Sequence, residues 1–256
     1  MNEMNPEPDD FTQNRMPCRR MSRAVAAALL SALLGAVLGA ALPALAAPPQ
    51  QVTLDYEIAR NGTVMVEVSE TLQQDGRTYR IHSSAKGKGV FALGSRGNIR
   101  RSSQGAIGPQ GLKPSEFRDE RSGRPGSVAR FDWARKQLVL ENDGRQESRP
   151  LPDNAQDRLS LAYNFAFSSL PRKQTGVAVV DGKDISDYQF TVAGEQKITT
   201  PAGEFETIHV VRNSGPNERG TEFWFASKRH MLPVRILLIE KDGTRIEQSL
   251  TRIVAQ

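Results

Sequence analysis

Short stretches in which apolar and polar residues alternate cover most of the chain from Val52 onward. In Thr63–Leu72, for example, Val64, Val66 and Val68 share one face and polar residues take the other. A period of two is typical of a strand with one buried face. The same pattern recurs in six further stretches, which are Arg77–Ser83, Gln137–Glu141, Tyr188–Val192, Phe205–Val211, Thr221–Phe225 and Val234–Glu240. The pattern predicts about ten to twelve strands in all.

Five turn dipeptides lie between these strand-like stretches. An Asn-Gly or Asp-Gly pair tolerates the positive φ angles that a tight two-residue hairpin requires. The pairs are Asn61-Gly62, Asp75-Gly76, Asp143-Gly144, Asp181-Gly182 and Asp242-Gly243. Five hairpin signals in one chain predict an antiparallel sheet.

One segment has a helical period instead. Asp153 followed by Gln156 is similar to a capping box and Pro171 ends the segment, so a helix is predicted over Ala155–Leu170. Its apolar residues are Leu159, Leu161, Ala162, Tyr163, Phe165, Ala166, Phe167 and Leu170. They occupy much more than the stripe of about 100° that a surface helix buries. We therefore expect protein to cover this helix on most sides.

A nearly buried helix beside a long antiparallel sheet predicts a mainly β fold. A large curved antiparallel sheet, or half-open barrel, would wrap around the one amphipathic helix. A sandwich of two sheets with the helix at one end fits the strand pattern equally well, but it accounts less well for the apolar helix.

The first 46 residues differ from the rest. Three arginines precede a run of Ala, Leu, Val and Gly from Ala24 to Leu42, like the charged and apolar regions of a secretory signal. The small residues at Ala44 and Ala46 predict cleavage after Ala46. This leaves residues 47–256 as a single mature domain in the periplasm. A retained transmembrane anchor is the less favoured alternative, because the run approaches the roughly 20 residues that span a bilayer.

Composition and motifs remove several classes of function. The lone cysteine, Cys18, precedes the apolar run, so the mature domain is expected to have no disulfide and no thiolate ligand. Gly87-Lys88-Gly89 lacks the strand and helix of a dinucleotide site, and no Gly-x-Ser-x-Gly elbow occurs. The three histidines are scattered, and the position of Asp157 in the first helical turn suffices to explain it. We predict no catalytic residue, no cofactor and no metal.

Positive charge is concentrated in one segment. The chain has 34 Lys and Arg against 29 Asp and Glu, a net charge of +5. Residues 86–136 alone hold twelve basic and four acidic residues, a net charge of +8. Such a segment attracts anions, although a solvated face of strands and loops is the simpler explanation. For an exported protein we expect no nucleic acid as partner, which leaves anionic lipids or glycans. The candidate anion contacts are Lys86, Lys88, Arg96, Arg100 and Arg101.

A series of short motifs resembles the bacterial envelope family called domain of unknown function 3108. The motifs are Leu54-x-Tyr56, Gly87-x-Gly89 with Phe91, Gly105-x-Ile107 with Gly111-Leu112-x-Pro114, Phe131-Asp132, Leu151-Pro152 with Gln156-Asp157-x-Leu159-Ser160, Thr200-Pro201-x-Gly203-x-Phe205, and Trp224-Phe225-Ala226 with Leu232-Pro233. The resemblance implies an exported, mostly β protein with no established activity. It also implies an architecture similar to periplasmic lipoprotein carriers, which shelter acyl chains under a concave sheet. Fold does not fix function, so the resemblance assigns no site residue.

Three functions stay open on sequence alone. The first is a non-enzymatic binder or carrier of a lipid or other amphiphile, in peripheral contact with an anionic membrane surface. Its candidate cavity residues are Tyr163, Phe167, Val64, Val66, Phe190 and Phe225. The second is a protein–protein interaction module in envelope assembly. The third, ranked last, is an envelope hydrolase in which acids such as Asp132 and Asp157 converge.

Overall fold

A computed structural model describes residues 48–94, 98–168 and 174–255, in which fifteen strands form one continuous sheet. The predicted signal segment lies outside the described residues. Two short helices accompany the strands, α1 (Val90–Gly94) and α2 (Arg158–Asn164). The strands are β1 (Gln51–Arg60), β2 (Thr63–Gln74), β3 (Thr78–Gly87), β4 (Ile99–Gly108), β5 (Gly111–Arg121), β6 (Arg124–Asp132), β7 (Gln137–Asn142), β8 (Arg145–Pro150), β9 (Ala155–Asp157), β10 (Gln174–Val180), β11 (Ile185–Thr200), β12 (Gly203–Arg212), β13 (Gly220–Ala226), β14 (Leu232–Ile239) and β15 (Arg245–Ala255).

The sheet consists of two meanders joined at their first and last strands. The first meander runs from β1 to β8 and the second from β9 to β15, and β15 pairs with β1. In that central pair Val52 lies opposite Ala255, and Arg60 lies opposite Ile246. Neighbouring strands are antiparallel except β9 and β10, which are parallel. The two outermost strands of the sheet are therefore β8 and β9.

All five predicted hairpin signals connect consecutive strands, which confirms them. Asn61 and Gly62 have φ angles of 47° and 84°, and Asp143 and Gly144 have φ angles of 51° and 74°. Both central positions of these two turns are thus in the left-handed region that a tight hairpin with the natural strand twist needs. The other three turns each place a glycine at positive φ.

The helix is shorter than the predicted Ala155–Leu170. Ala155–Asp157 pair with Ala178–Val180 as a parallel strand, so the helix begins only at Arg158. The N-cap is Asp157 rather than Asp153, and the reciprocal partner of the capping box is Ser160. After Asn164 the chain continues as turns to Ser168, and Leu170 lies outside the described residues.

The sheet curves around α2. The helix contacts β4 and β5 of the first meander, and β10 and β14 of the second. Five consecutive helix residues, 159 to 163, are buried. Across the open side, Arg149 of β8 donates to Asp184 in the turn between β10 and β11 at 2.9 Å. The predicted mainly β fold, a large curved sheet around one helix, is confirmed.

One glycine in β4 marks a close approach of two backbones. At Gly105 a Cβ atom would lie 2.2 Å from the carbonyl oxygen of Lys113 on β5. The register of the two strands shifts next to this position, between Gln104 and Gly105. The nearest atom to a Cβ at Gly108, in the same strand, would be 3.8 Å away.

We expect Gly105→Ala to lower the free energy of unfolding by about 1–3 kcal/mol, because the β4 and β5 backbones must separate to admit the methyl group. Gly108→Ala is the matched control and should change it by less than about 0.5 kcal/mol. Urea unfolding of the wild type and both variants measures this difference. Equal midpoints for the two variants would contradict the close approach.

Candidate functional site

A cavity of about 270 Å³ lies between α2 and the inner face of the sheet. The first residues of the helix form one wall, and strands β10 to β14 form the other. The apolar lining includes Leu159, Leu161, Val179, Phe190, Phe223 and Ile236. Small-molecule sites are concave, largely apolar and contain a few polar groups that orient the ligand. The cavity has that composition and a volume near the lower end of the usual range.

Four arginines also line the cavity. Arg101 on β4 donates its Nε to Asp119 at 3.0 Å, and Arg219 Nε lies 2.6 Å from Glu240. The guanidinium of Arg212 lies 3.6 Å from the centre of the Tyr188 ring. The fourth is Arg158, which comes from the helix side of the cavity. The cavity is therefore amphipathic, with an apolar wall and several cationic groups.

A buried glutamate forms part of the cavity floor. Glu70 on β2 accepts a hydrogen bond from the Tyr163 hydroxyl at 2.8 Å and another from the Ser83 hydroxyl at 3.1 Å. Burial raises the pKa of Glu70, and the two hydroxyl donors together with the charge of Arg101 partly oppose this rise. Glu70 therefore fixes the far end of α2 to the sheet through Tyr163.

Sequence reasoning overlooked Glu70, although the pattern of β2 contains the signal. Val68 and Leu72 are buried inward-facing residues of this strand, and Glu70 lies midway between them. A period of two therefore places a carboxyl group on the apolar face. A charged residue at such a position is seldom buried without a partner, and it marks a polar site within the core.

Asp157 has a structural role at the start of α2. Its Oδ1 accepts the backbone N–H groups of Leu159 and Ser160, each at 2.8 Å, and its Oδ2 accepts the Ser103 hydroxyl at 2.6 Å. Burial raises its pKa to about 6, against the lowering effect of these donors. The Tyr79 hydroxyl in turn lies 3.0 Å from that of Ser103. Asp157 thus joins the helix to β3 and β4.

The elevated pKa of Asp157 makes a specific contribution to the pH dependence of stability. Between its ordinary pKa of 3.8 and its folded pKa of about 6, the folded protein binds a proton that the unfolded chain does not. Acidification through this window therefore stabilises the fold through this group. The side-chain amide of an Asp157→Asn variant cannot take up that proton.

Between pH 7 and pH 4 we expect the wild type to gain about 2 kcal/mol of unfolding free energy relative to Asp157→Asn. Urea unfolding at both pH values measures this difference, and the other titrating groups cancel because both proteins contain them. Parallel stability curves for the two proteins would show that the carboxyl group keeps its ordinary pKa.

The candidate cavity residues occupy three different places. Phe190 lines the cavity, and Tyr163 lies beneath it with its hydroxyl on Glu70. Phe225 is buried, with its ring 5.0 Å from that of Phe165 and 5.6 Å from that of Phe223. The remaining three are half-buried and are not part of the lining; they are Val64, Val66 and Phe167.

The candidate anion contacts do not share one surface. Arg101 lies opposite the inward-facing Ser83 and lines the cavity. Lys86 and Arg100 belong to the other face of the sheet by strand alternation. Lys88 forms ion pairs with Glu57 and Glu67. Arg96 lies outside the described residues.

The two acids named for a hydrolase have separate local roles. Asp132 accepts the backbone N–H of Arg135 at 2.9 Å in the turn after β6, whereas Asp157 caps α2. Within residues 48–94, 98–168 and 174–255, no group of three or more His, Cys, Asp or Glu side chains is arranged to hold a metal ion. Neither helix in this part of the chain is long and apolar enough to cross a bilayer.

The cavity lies toward the end of the sheet where α1 begins. In β1, Ile58 pairs with Val66 of β2 and with Gln248 of β15. Val66 in turn pairs with Gly87, the last residue of β3, and Gln248 lines the cavity. The short helix α1 follows directly after this level of the sheet. It carries two exposed apolar side chains, Val90 at 76% and Phe91 at 37% relative exposure.

These features define a mainly β protein with an amphipathic cavity under a curved sheet. The chain belongs to the family DUF3108, a family of proteins of unknown function, whose model matches residues 51–251. The resemblance noted in the sequence is thereby confirmed. No curated protein matches the chain significantly.

Two solved structures with low similarity match most of the chain. A protein from Bacteroides fragilis, described as exported and as having a YmcC-like fold, is 11% identical with a TM-score of 0.37. A protein from Parabacteroides distasonis, described as a lipoprotein, is 11% identical with a TM-score of 0.36. Each match covers 81% of this chain and 97% of the other chain.

Proposed function

We propose that this protein is a non-enzymatic periplasmic binder or carrier of an amphiphilic component of the cell envelope. The observation that carries the proposal is the cavity beside α2, in which an apolar wall and cationic side chains meet. A purely apolar ligand would place cationic side chains, Arg158 among them, against an apolar group, and a small polar ligand would leave the apolar wall in contact with water. A molecule with an apolar tail and a polar head fits both parts.

The local chemistry of the carboxyl groups favours binding over catalysis. Asp157 is buried outside the cavity lining and is held by donors of α2 and β4. Glu70 does line the cavity, but the Tyr163 and Ser83 hydroxyls both bind its carboxyl group. A general acid or base has to reach the proton that it transfers to or from a substrate. The helix supports the binding role as well, because its rigid anchoring keeps one wall of the cavity preformed.

The export and periplasmic location belong to the same proposal. They rest on the charged and apolar regions of residues 1–46, followed by Ala44 and Ala46 at the expected cleavage positions. Mass measurement of the protein recovered from the periplasm tests this part, since cleavage after Ala46 gives a chain that begins at Ala47.

Native mass spectrometry of the protein isolated from its own periplasm, without detergent, tests for a bound ligand. We expect an added mass that disappears on extraction with organic solvent and that corresponds to an amphiphile. A protein that carries no added mass and takes up no added single-chain amphiphile would contradict the proposed function.

A side chain that fills the cavity should prevent binding. Thr221 on β13 lines the cavity, so Thr221→Trp is expected to weaken the binding of a neutral apolar fluorescent probe by about tenfold or more. Thr191 on β11 follows the inward-facing Phe190 and belongs to the opposite face, so Thr191→Trp is a matched control. Probe titration of both variants measures the effect.

Equal probe binding by the two tryptophan variants would place the ligand elsewhere on the protein. The alternative function, an interaction module that binds another envelope protein, makes a different prediction. In that case Thr221→Trp would leave the module's activity intact, and crosslinking in the periplasm would recover the same partner from wild type and variant.

Membrane contact is the second part of the proposed carrier function, and it is supported by α1. Val90 and Phe91 are large apolar residues exposed at the end of the sheet toward which the cavity lies. A carrier has to exchange its ligand with a lipid layer, and exposed apolar side chains at that end of the sheet can enter the layer. Each side chain that leaves water contributes about 1.5–3 kcal/mol when fully buried.

We therefore expect Val90→Ser/Phe91→Ser to reduce association with vesicles of phosphatidylglycerol and phosphatidylcholine by about tenfold or more. Cosedimentation with the vesicles measures association, and unchanged probe binding in solution is the control for a folded protein. Association equal to that of the wild type would exclude α1 as the contact.

A further inference from the structure

Arg158 differs from the other cationic groups of the cavity. Its guanidinium makes no hydrogen bond or ion pair with any other residue in the described parts of the chain. Its side chain lines the cavity and is exposed to solvent, and the surrounding protein together with the like charge of Arg101 lowers its pKa. Arg158 is therefore a solvent-accessible cation on the cavity wall without a direct counter-ion.

The charges near Arg158 leave an excess of positive charge. After burial, the like charge of Arg101 does most to lower the pKa of Arg158, and the negative charges of Asp181 and Asp119 raise it. Asp119 is already bound by Arg101 and by Arg121, at 3.0 Å and 3.1 Å. Asp181 accepts two backbone N–H groups of its own turn through Oδ1. Three arginines therefore face two aspartates, of which Asp119 is already paired and Asp181, which also lines the cavity, already accepts two backbone N–H groups.

Like charges that line one cavity repel each other more strongly than they would in bulk water. Arg101 and Arg158 nevertheless line the same cavity, one from β4 and the other from the start of α2. An anion between them would relieve this repulsion and would supply the acceptors that Arg158 lacks. Planar guanidinium groups bind carboxylate and phosphate oxygens through paired hydrogen bonds, and these charge-assisted bonds are stronger than bonds to neutral acceptors.

We propose that Arg158 and Arg101 form an anion subsite, and that the ligand of the cavity is an amphiphile with a carboxylate or phosphate head. The subsite deepens the proposed function and rests on it. The head lies at Arg158 and Arg101, and the tail lies along the apolar wall of Phe190, Phe223 and Ile236. Of the basic residues singled out in the sequence, Arg101 alone among those described belongs to this subsite.

Competition with a neutral apolar fluorescent probe measures separately how much the anionic head and the apolar tail of a ligand contribute to its affinity. The competitors are dodecanoate, dodecyl phosphate and the neutral dodecanol, which share one tail. Inorganic phosphate, measured by its effect on the thermal midpoint, tests for a free anion without a tail. The protein is isolated from cells that express the full chain.

We expect dodecanoate and dodecyl phosphate to bind the wild type at least about tenfold more tightly than dodecanol, since hydrogen bonds to charged groups are the stronger class. In Arg158→Gln this preference should disappear while the affinity for dodecanol stays the same. Arg100→Gln is the matched control, because Arg100 precedes Arg101 on β4 but lies on the other face of the sheet. It should retain the full preference.

The outcomes distinguish the subsite from the proposed function. If all three tailed molecules bind the wild type equally, or if Arg158→Gln keeps the preference, the anion subsite is wrong and the amphiphile carrier stands. If no tailed molecule binds but phosphate stabilises the wild type and not Arg158→Gln, the carrier is wrong and the site takes a free anion. If no tailed molecule displaces the probe and phosphate does not change the thermal midpoint, both proposals are wrong.

Discussion

The burial of α2 on every side is the constraint on which the rest of the structure depends. A seven-residue helix with five consecutive buried side chains needs protein in all directions, and one flat sheet can cover only one of its faces. The sheet satisfies this need by its curvature, because β4 and β5 reach the helix from one meander and β10 and β14 from the other. Pairing of β1 with β15 makes the two meanders a single surface. The cavity is the space that this curved surface leaves beside the start of the helix.

Two buried carboxyl groups hold the helix in place, and their hydrogen-bond donors offset the free energy that it costs to remove these groups from water. Asp157 satisfies the first backbone N–H groups of α2 and binds Ser103 on β4, while Glu70 on β2 receives the Tyr163 hydroxyl near the last turn. A buried carboxyl group without donors would cost several kcal/mol, which is comparable to the whole free energy of unfolding of many domains. With their donors the same groups fix the position of the helix along its axis. Apolar packing alone would allow the helix to slide or rotate, and the wall of the cavity would move with it.

Local signals in the sequence predict the hairpins and the apolar helix, but not the contacts between distant strands. A tight hairpin turn needs positive φ angles wherever it occurs, and the residue pairs Asn61-Gly62 and Asp143-Gly144 both adopt them. These turns are therefore predictable from the local sequence alone. The start of α2 depends instead on parallel pairing with residues 178–180, and Asp153 and Asp157 have equally good capping chemistry in isolation. Glu70 was predictable from its place on an apolar face. The subsite was not, because its two arginines come from β4 and α2, and only the curvature of the sheet brings them to one cavity.

The proposed site also has a direction that follows from its placement. The apolar wall is built by α2 and the inner face of β11, β13 and β14, while Arg158 begins the helix and Asp181 lies in the turn after β10. Turns and α1 lie toward this end of the sheet, and they include the exposed Val90 and Phe91. A tail held along the wall would therefore have its anionic head near the end that meets a lipid surface. Charged head groups of that surface would compete with the ligand for the arginines. Contact with the membrane would therefore weaken the binding of the ligand's anionic head. Release would then require no large movement of the sheet.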